Sequence, residues 1–381
     1  FELHKRGIAV RVLEAAGRPG GVIFTGRLGG WTIHAGAGSI LVQKPAAVSL
    51  CRELGIADRL HPTVPPRTAY VLRDSGAKAV VVHERLGPVR LAALREICAD
   101  IGVRVVAGGE SAGFLSLHEF VAPHGCAALE NRTTGRVLPY TSATTGRPKG
   151  VSLPLESAER ALRKIVAWHR SLGTNLEDGN VHLCASMLYH SAPLEGALIA
   201  LQMGHGVVLL DGWTPDLLLQ ATERHAVTST FLVPAMLVRL LKLPRHVRER
   251  YDVSSLRFVV HGGAPCPVEV KRRMLDWLGP IIWEAYGAAE AQGVIASPSQ
   301  WLARPGTVGK AIEGCTIKVL DESGAELPAH TPGLVYLTRH TGDRFEYRGD
   351  PAKTRSVHRG DFVTAGDIGY LDHDGFLYIL D

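Results

Sequence analysis

The chain has 381 residues, 46% of them hydrophobic and 21% charged, and a mean hydropathy near zero (+0.07). That mix excludes a disordered, collagenous or coiled-coil protein, and the length suffices for two or three domains around a sizeable core. Its 42 Lys+Arg against 37 Asp+Glu leave a formal charge of +5. With no run of five or six like charges, nothing marks a nucleic-acid-binding surface.

The chain opens on Phe1–Gly7, which reads as a helix end closing on a glycine, with no apolar leader. Ile8–Leu13 reads as a strand ending in Glu14, then a glycine-rich turn at Gly17–Gly21. Short β pieces follow at Val22–Thr25 and Trp31–His34, then a helix over Pro45–Leu54 and a turn at Pro62–Pro66.

From about Ala69 apolar strands alternate with amphipathic helices. Strands are predicted at Ala79–His83, Val103–Ala107, Val181–Cys184, Gly206–Leu210, Leu256–His261 and Ile281–Glu284. Helices are predicted at Val89–Ile101, Leu155–Leu172, Pro215–His225, Pro234–Leu243 and Val268–Leu278. The alternation predicts an α/β fold with largely parallel sheets. The most apolar stretch, Ala192–Leu210, is broken by Glu195 and His205 and reads as a buried helix and a buried strand, not a membrane span. From Gly306 the texture becomes short strands and turns (Cys315–Leu320, Gly333–Leu337, Phe362–Val363, Gly375–Leu380), a small β-rich subdomain. Strand Phe376–Leu380 ends the chain, so both ends are expected to lie inside larger folds. The cysteines Cys51, Cys98, Cys126, Cys184, Cys266 and Cys315 form no CxxC pair. They read as reduced structural thiols of a cytoplasmic protein.

The most informative stretch is Leu138–Val151, LPYTSATTGRPKGV. Its hydroxyls (Thr141, Ser142, Thr144, Thr145), its glycines (Gly146, Gly150) and the cation Lys149 suit a polyphosphate: hydroxyls and backbone N–H groups donate to phosphate oxygens, lysine supplies charge, and glycine admits close approach. A Walker A loop needs GxxxxGK[ST] opening a helix. Here Lys149 lies between Pro148 and Gly150 and a β-like Val-Ser-Leu follows, so that reading fails.

The loop resembles the signature of the adenylate-forming superfamily, which includes acyl-CoA synthetases, peptide-synthetase adenylation domains and luciferases. Further resemblances follow in order: Met187–His190, Thr230–Pro234, His261–Pro265, Trp283–Glu290 and Gly366–Asp372. The resemblance covers about residues 69–381. It implies an α/β core over 69–305 and a β-rich subdomain over 306–381, with the family's C-terminal lid domain absent. It implies nucleotide contacts from Thr141, Ser142, Thr144, Thr145, Gly146, Gly263, Ala264, Pro265, Gly287 and Tyr286, the last stacking on adenine. Asp367 is implied on the ribose, Lys149 and Glu290 in catalysis, and Glu290 on Mg²⁺. His190, Val233 and Gly262 are implied to line the acyl pocket. Asp372-His373-Asp374-Gly375 reads as a hairpin turn, not a metal cluster.

The implied chemistry joins a carboxylic acid to Mg·ATP, giving an acyl-adenylate that a thiol, CoA or a carrier, then takes. Three departures bear on it. Ala289 stands where the family has a threonine that contacts the α-phosphate, Ala143 replaces a loop glycine, and no lysine here takes the role of the lid's lysine. The expectation is a chain that binds nucleotide or acyl-adenylate but adenylates poorly. Strands missing at the front predict exposed sheet edges and, through them, oligomers.

Residues 1 to about 74 carry a different resemblance. Ile8–Gly21, Gly36–Pro45 and Leu50–Gly55 resemble the FAD-binding N-terminus of protoporphyrinogen oxidase, with Glu14 at the ribose and Arg18, Gly20 and Gly21 at the pyrophosphate. The GxGxxG turn that holds the pyrophosphate is not in the sequence, so FAD binding is not expected. Residues 1–68 are therefore read as a partial FAD-binding segment. Alternatives are a non-catalytic chimera that retains a nucleotide site, and a flavin-dependent oxidoreductase.

Overall fold

A computed structural model describes residues 24–28, 31–35, 67–123, 135–141, 148–163, 179–338 and 344–380. The chain divides into two compact units, Phe1–Pro65 and Pro66–Asp381. In the first, Phe24–Leu28 and Trp31–Ala35 form an antiparallel hairpin. The strand and helix expected at Ile8–Leu13 and Pro45–Leu54, and the residues that carry the flavoprotein resemblance, lie outside the described residues.

The second unit is built on a seven-stranded sheet. Its order is Lys310–Ala311, Gln292–Ala296, Ile282–Gly287, Phe258–Gly262, Ser229–Leu232, Val181–Cys184, Gly206–Leu209. The last five run parallel, and Gln292–Ala296 is antiparallel to both of its neighbours. Parallel strands must be joined by crossovers, and the amphipathic helices Pro215–His225, Pro234–Leu241 and Val268–Leu278 supply them. Each helix has a sequence-encoded boundary. Thr214 accepts the N–H of Leu217 and Pro215 follows at the first turn, while Gly279 closes Val268–Leu278 at φ +80°. Their apolar faces bury Leu218, Leu219, Leu237, Leu240 and Met274 against Leu183, Leu232, Val259 and Ile282 in one core.

The small β-rich region is an antiparallel sheet of six strands in which Gly333–Thr338 pairs with Ile317–Leu320, Phe362–Val363 and Ile368–Leu371. A three-stranded antiparallel sheet places Lys149–Ser152 between Tyr140–Thr141 and Glu346–Tyr347. Ala79–His83, Val103–Ala107 and Leu115–Ser116 form a separate parallel sheet.

Several expectations shift. Ala192–Leu210 is a helix (Ser191–Gln202) and a strand, but neither is fully buried: Leu201 and Leu209 are 59% and 57% exposed. The strand Gly206–Leu209 is a sheet edge, so the apolar run covers one side only. Arg67–Ser75 is a helix that no periodicity announced, and Gln292–Ala296 is a strand the alternation did not mark. Asp372 Oδ1 accepts the N–H groups of Asp374 and Phe376, and Gly375 sits at φ +79°, which makes this acidic stretch a hairpin turn. Cys98, Cys184 and Cys266 are free thiols. No helix among the described residues is long and apolar enough to cross a membrane.

Candidate active site

In open parallel sheets, ligands bind beyond the carboxyl ends of the strands, because the loops there are free of the ladder. Val233, Gly262–Gly263 and Tyr286–Gly287 lie at those ends. They border a cavity of about 1170 Å³ whose walls include His190, Val233, Gly262, Trp283, Tyr286 and Gly287. Two glycines are sterically required. A Cβ at Gly262 would lie 2.4 Å from the Ala285 carbonyl oxygen, and one at Gly287 would lie 2.8 Å from Gln292 Cα. Gly263 adopts φ +78° and leads into the exposed turn Ala264–Pro265.

Two side-chain groups flank this rim. In one, Tyr286 donates its hydroxyl to Asp367 Oδ2 (2.6 Å) across 81 residues of sequence. Burial first, and then the hydrogen bond to Asp367 and its charge, push the Tyr286 hydroxyl well above the ordinary phenol range, so it remains a donor. In the other, Lys149 Nζ lies 5.2 Å from the centre of the Tyr347 ring, and Tyr347 donates to Glu290 Oε1 (2.8 Å). Glu290 is 6% exposed. Burial, followed by the Glu290 charge, raises the Tyr347 hydroxyl in the same way. The groups meet through one apolar cluster containing Val151, Tyr347 and Ala291, against which Tyr286 and Ala289 pack.

The base of the phosphate-type loop is anchored. Thr141 and Lys149 face each other across its closing strand pair. Tyr140 donates to Asp74 Oδ2 (2.6 Å), and Gly150 leaves room for the Tyr140 ring, where a Cβ would sit 3.0 Å from Cζ. Ser142, Thr144, Thr145 and Gly146 lie outside the described residues. His190 is exposed at the start of helix Ser191–Gln202, its ring centre 4.4 Å from that of Tyr189 with the planes tilted by 49°. The Cys266 thiol is pushed up to about 12 by burial and by the Glu284 charge, so it is not a nucleophile.

Tyr347 was not singled out from the sequence. It follows a polar stretch 57 residues beyond Glu290, and only the antiparallel pairing Tyr347↔Val151 brings it in. Glu290 supplies one carboxylate. Magnesium is commonly held by one or two carboxylates together with substrate phosphates, so this donor set fits it. Among the described residues no group of three or more His, Cys, Asp or Glu side chains could hold a metal without such phosphates.

The AMP-binding enzyme family matches residues 60–341. The 4-coumarate–CoA ligase 5 of Oryza sativa subsp. japonica is 28% identical over 338 residues, covering 85% of this chain and 60% of the relative. The 4-coumarate–CoA ligase 3 of Arabidopsis thaliana is 32% identical over 255 residues, covering 64% and 44%. Among solved structures, the anthranilate CoA ligase AuaEII in complex with anthranoyl-AMP matches with a TM-score of 0.71 at 25% identity, over 83% of this chain and 61% of that one. The amide bond synthetase McbA from Marinactinospora thermotolerans matches with a TM-score of 0.67 at 27% identity, over 83% and 62%. The chain thus spans between about two fifths and two thirds of the length of these relatives and structures. With the α/β architecture of acyl-CoA synthetases and a family match over most of its length, this chain belongs to the AMP-binding enzymes.

Proposed function

We propose that this chain carries the nucleotide and acyl site of an acid–thiol ligase, which activates a carboxylic acid with Mg·ATP and passes the acyl group to CoA or a carrier thiol. The observation that carries this reading is the Lys149–Tyr347–Glu290 connection, which unites two distant motifs at one rim. Lys149 neutralises phosphate charge as the carboxylate approaches. Phosphoryl and adenylyl chemistry is largely positioning and charge stabilisation, so a mobile cation beside the phosphates carries much of the rate. Tyr347 keeps Glu290 aimed at the rim by donating to one of its oxygens. Glu290 would hold Mg²⁺, which when bound would supply charge neutralisation at the phosphates. Asp367 retains acceptor capacity beyond the bond from Tyr286 and takes ribose hydroxyls. The Tyr286 ring and the side-chain-free edges of Gly262 and Gly287 accept the flat base, with Gly263, Ala264 and Pro265 as the turn beside it. Thr141, Ser142, Thr144, Thr145 and Gly146 belong to the same reading as phosphate donors, and His190, Val233 and Gly262 as the acyl wall.

Ala289 lacks a hydroxyl where the first step needs a donor, so slow adenylation with intact nucleotide binding is part of the proposal. The test is titration of the chain with ATP and AMP, followed by ATP–pyrophosphate exchange with aryl and alkyl acids. Micromolar AMP binding with weak exchange is expected. No nucleotide binding by the wild-type chain overturns the reading, and robust exchange overturns its impairment.

For residues 1–68 the proposal is a partial flavin-binding segment of the protoporphyrinogen oxidase type, supported by Glu14 and the Arg18–Gly21 turn. A purified chain free of flavin is expected. A cytoplasmic location, and self-association through the edge strand Gly206–Leu209, belong to the same reading. A single monomeric species in size-exclusion chromatography at high concentration overturns the latter.

A further inference from the structure

On the face of the large sheet away from the cavity, three ionisable side chains are sealed together. Lys271 and His261 have no solvent exposure and Glu284 is 6% exposed. Lys271 Nζ donates to Glu284 Oε2 at 2.8 Å, and His261 Nε2 lies 3.5 Å from the same oxygen. Lys271 also sits 4.8 Å from the centre of the Trp301 ring. Removing two charges from water is costly, and buried ion pairs are often no more stable than apolar residues of the same size. Stability alone therefore does not account for this trio.

Its placement does. His261 and Glu284 face each other across adjacent parallel strands, one register step before the pair Gly262↔Ala285. Lys271 lies on the helix that begins at Val268, just after the turn Gly263–Pro267. The helix start at Lys271 is bonded to the Glu284 carboxylate, and the strand end at His261 is held beside it by the register pair His261↔Glu284. The turn itself is exposed from Gly263 to Pro265 and has one glycine in the left-handed region. A free hinge at either end would let it drift from Tyr286.

We propose that Lys271, Glu284 and His261 form a positioning clip that fixes the Gly262–Pro267 turn against the Ile282–Gly287 strand and so sets the width of the nucleotide slot. The proposal rests on the nucleotide reading of this rim. None of the three touches the ligand. Burial holds Lys271 below its ordinary range and Glu284 above its own, while their mutual attraction opposes both shifts. The clip therefore works as a short, desolvated contact that a half-replaced pair cannot imitate.

The test replaces the pair as a unit, Lys271→Met with Glu284→Leu, and as a second variant Lys271→Met with Glu284→Gln, which keeps the side-chain shape. Three quantities are read on the full chain: thermal midpoint, AMP affinity by calorimetry, and amide hydrogen exchange of Gly262, Gly263, Ala264 and Cys266 without ligand. Expected are a midpoint near or above that of the wild type, exchange at these amides at least tenfold faster, and AMP binding about tenfold weaker. A merely structural pair would move the midpoint and spare the local exchange. Unchanged exchange in a folded variant overturns the clip. If wild-type AMP binding is absent while exchange accelerates, the clip stands and the nucleotide reading falls.

Discussion

The chain contains two lysine–glutamate arrangements near one rim, and they are built in opposite ways. Lys271 and Glu284 touch at 2.8 Å, out of water, and spend their charges on each other. Lys149 and Glu290 are kept apart by Tyr347, whose ring faces the cation and whose hydroxyl binds the carboxylate. The first pair is internally satisfied. The second is bridged by Tyr347, whose side chain touches both members. An ion pair that neutralises itself can hold a structure in register, whereas a separated one can hold a polyanion and a divalent cation.

The sharpest way to break this contrast is to remove one member of the buried pair. Lys271→Met alone strands a buried carboxylate and should cost about 3–5 kcal/mol, read as a lower denaturation midpoint. Lys149→Ala should leave that midpoint within a degree or two but lower acyl-adenylate formation on the order of 10²-fold, measured by pyrophosphate exchange. Equal loss of stability in both variants would erase the distinction.

A pH experiment sharpens it further. Burial, and then the Lys271 charge, hold His261 well below its ordinary value of 6.5. Above about pH 6.5 neither the folded nor the unfolded chain protonates it. Below that, only the unfolded chain does, so stability should fall as pH drops, by up to about 1.4 kcal/mol per unit. The difference between wild type and His261→Leu isolates this proton from Glu284, whose raised pKa acts with the opposite sign. Parallel curves for the two proteins would remove His261 from the account.

Smaller effects lie at the rim. Ala289→Thr restores a hydroxyl donor beside Glu290 and should raise exchange activity about tenfold, with AMP affinity nearly unchanged. Tyr347→Phe removes one hydrogen bond to Glu290 and should weaken magnesium dependence by less than about tenfold. An unchanged magnesium titration would deny Tyr347 its spacing role.

The sheet was legible from the sequence because its strands are short apolar runs between capped amphipathic helices. Val181–Cys184, Pro215–His225 and Val268–Leu278 fall at the expected bounds. Lys149, Glu290, Tyr286 and Asp367 could be singled out in the sequence because each sits in a compact local pattern. Tyr347 and the clip were not. Lys271 lies among Glu269, Arg272, Arg273 and Asp276 and reads as one more polar face residue of a helix, and only tertiary packing buries it. Arg67–Ser75 was missed because Arg67, Arg73 and Asp74 dilute its apolar stripe.

The bond between Tyr286 and Asp367 has a further consequence. One partner belongs to the large parallel sheet and the other precedes a strand of the small antiparallel one. The phenol occupies one oxygen of the carboxylate and so orients it. On the proposed nucleotide reading, a ribose diol would meet an acceptor that does not have to turn. The same bond is a seam between two sheets, so any slippage of one against the other would first change how Asp367 is aimed.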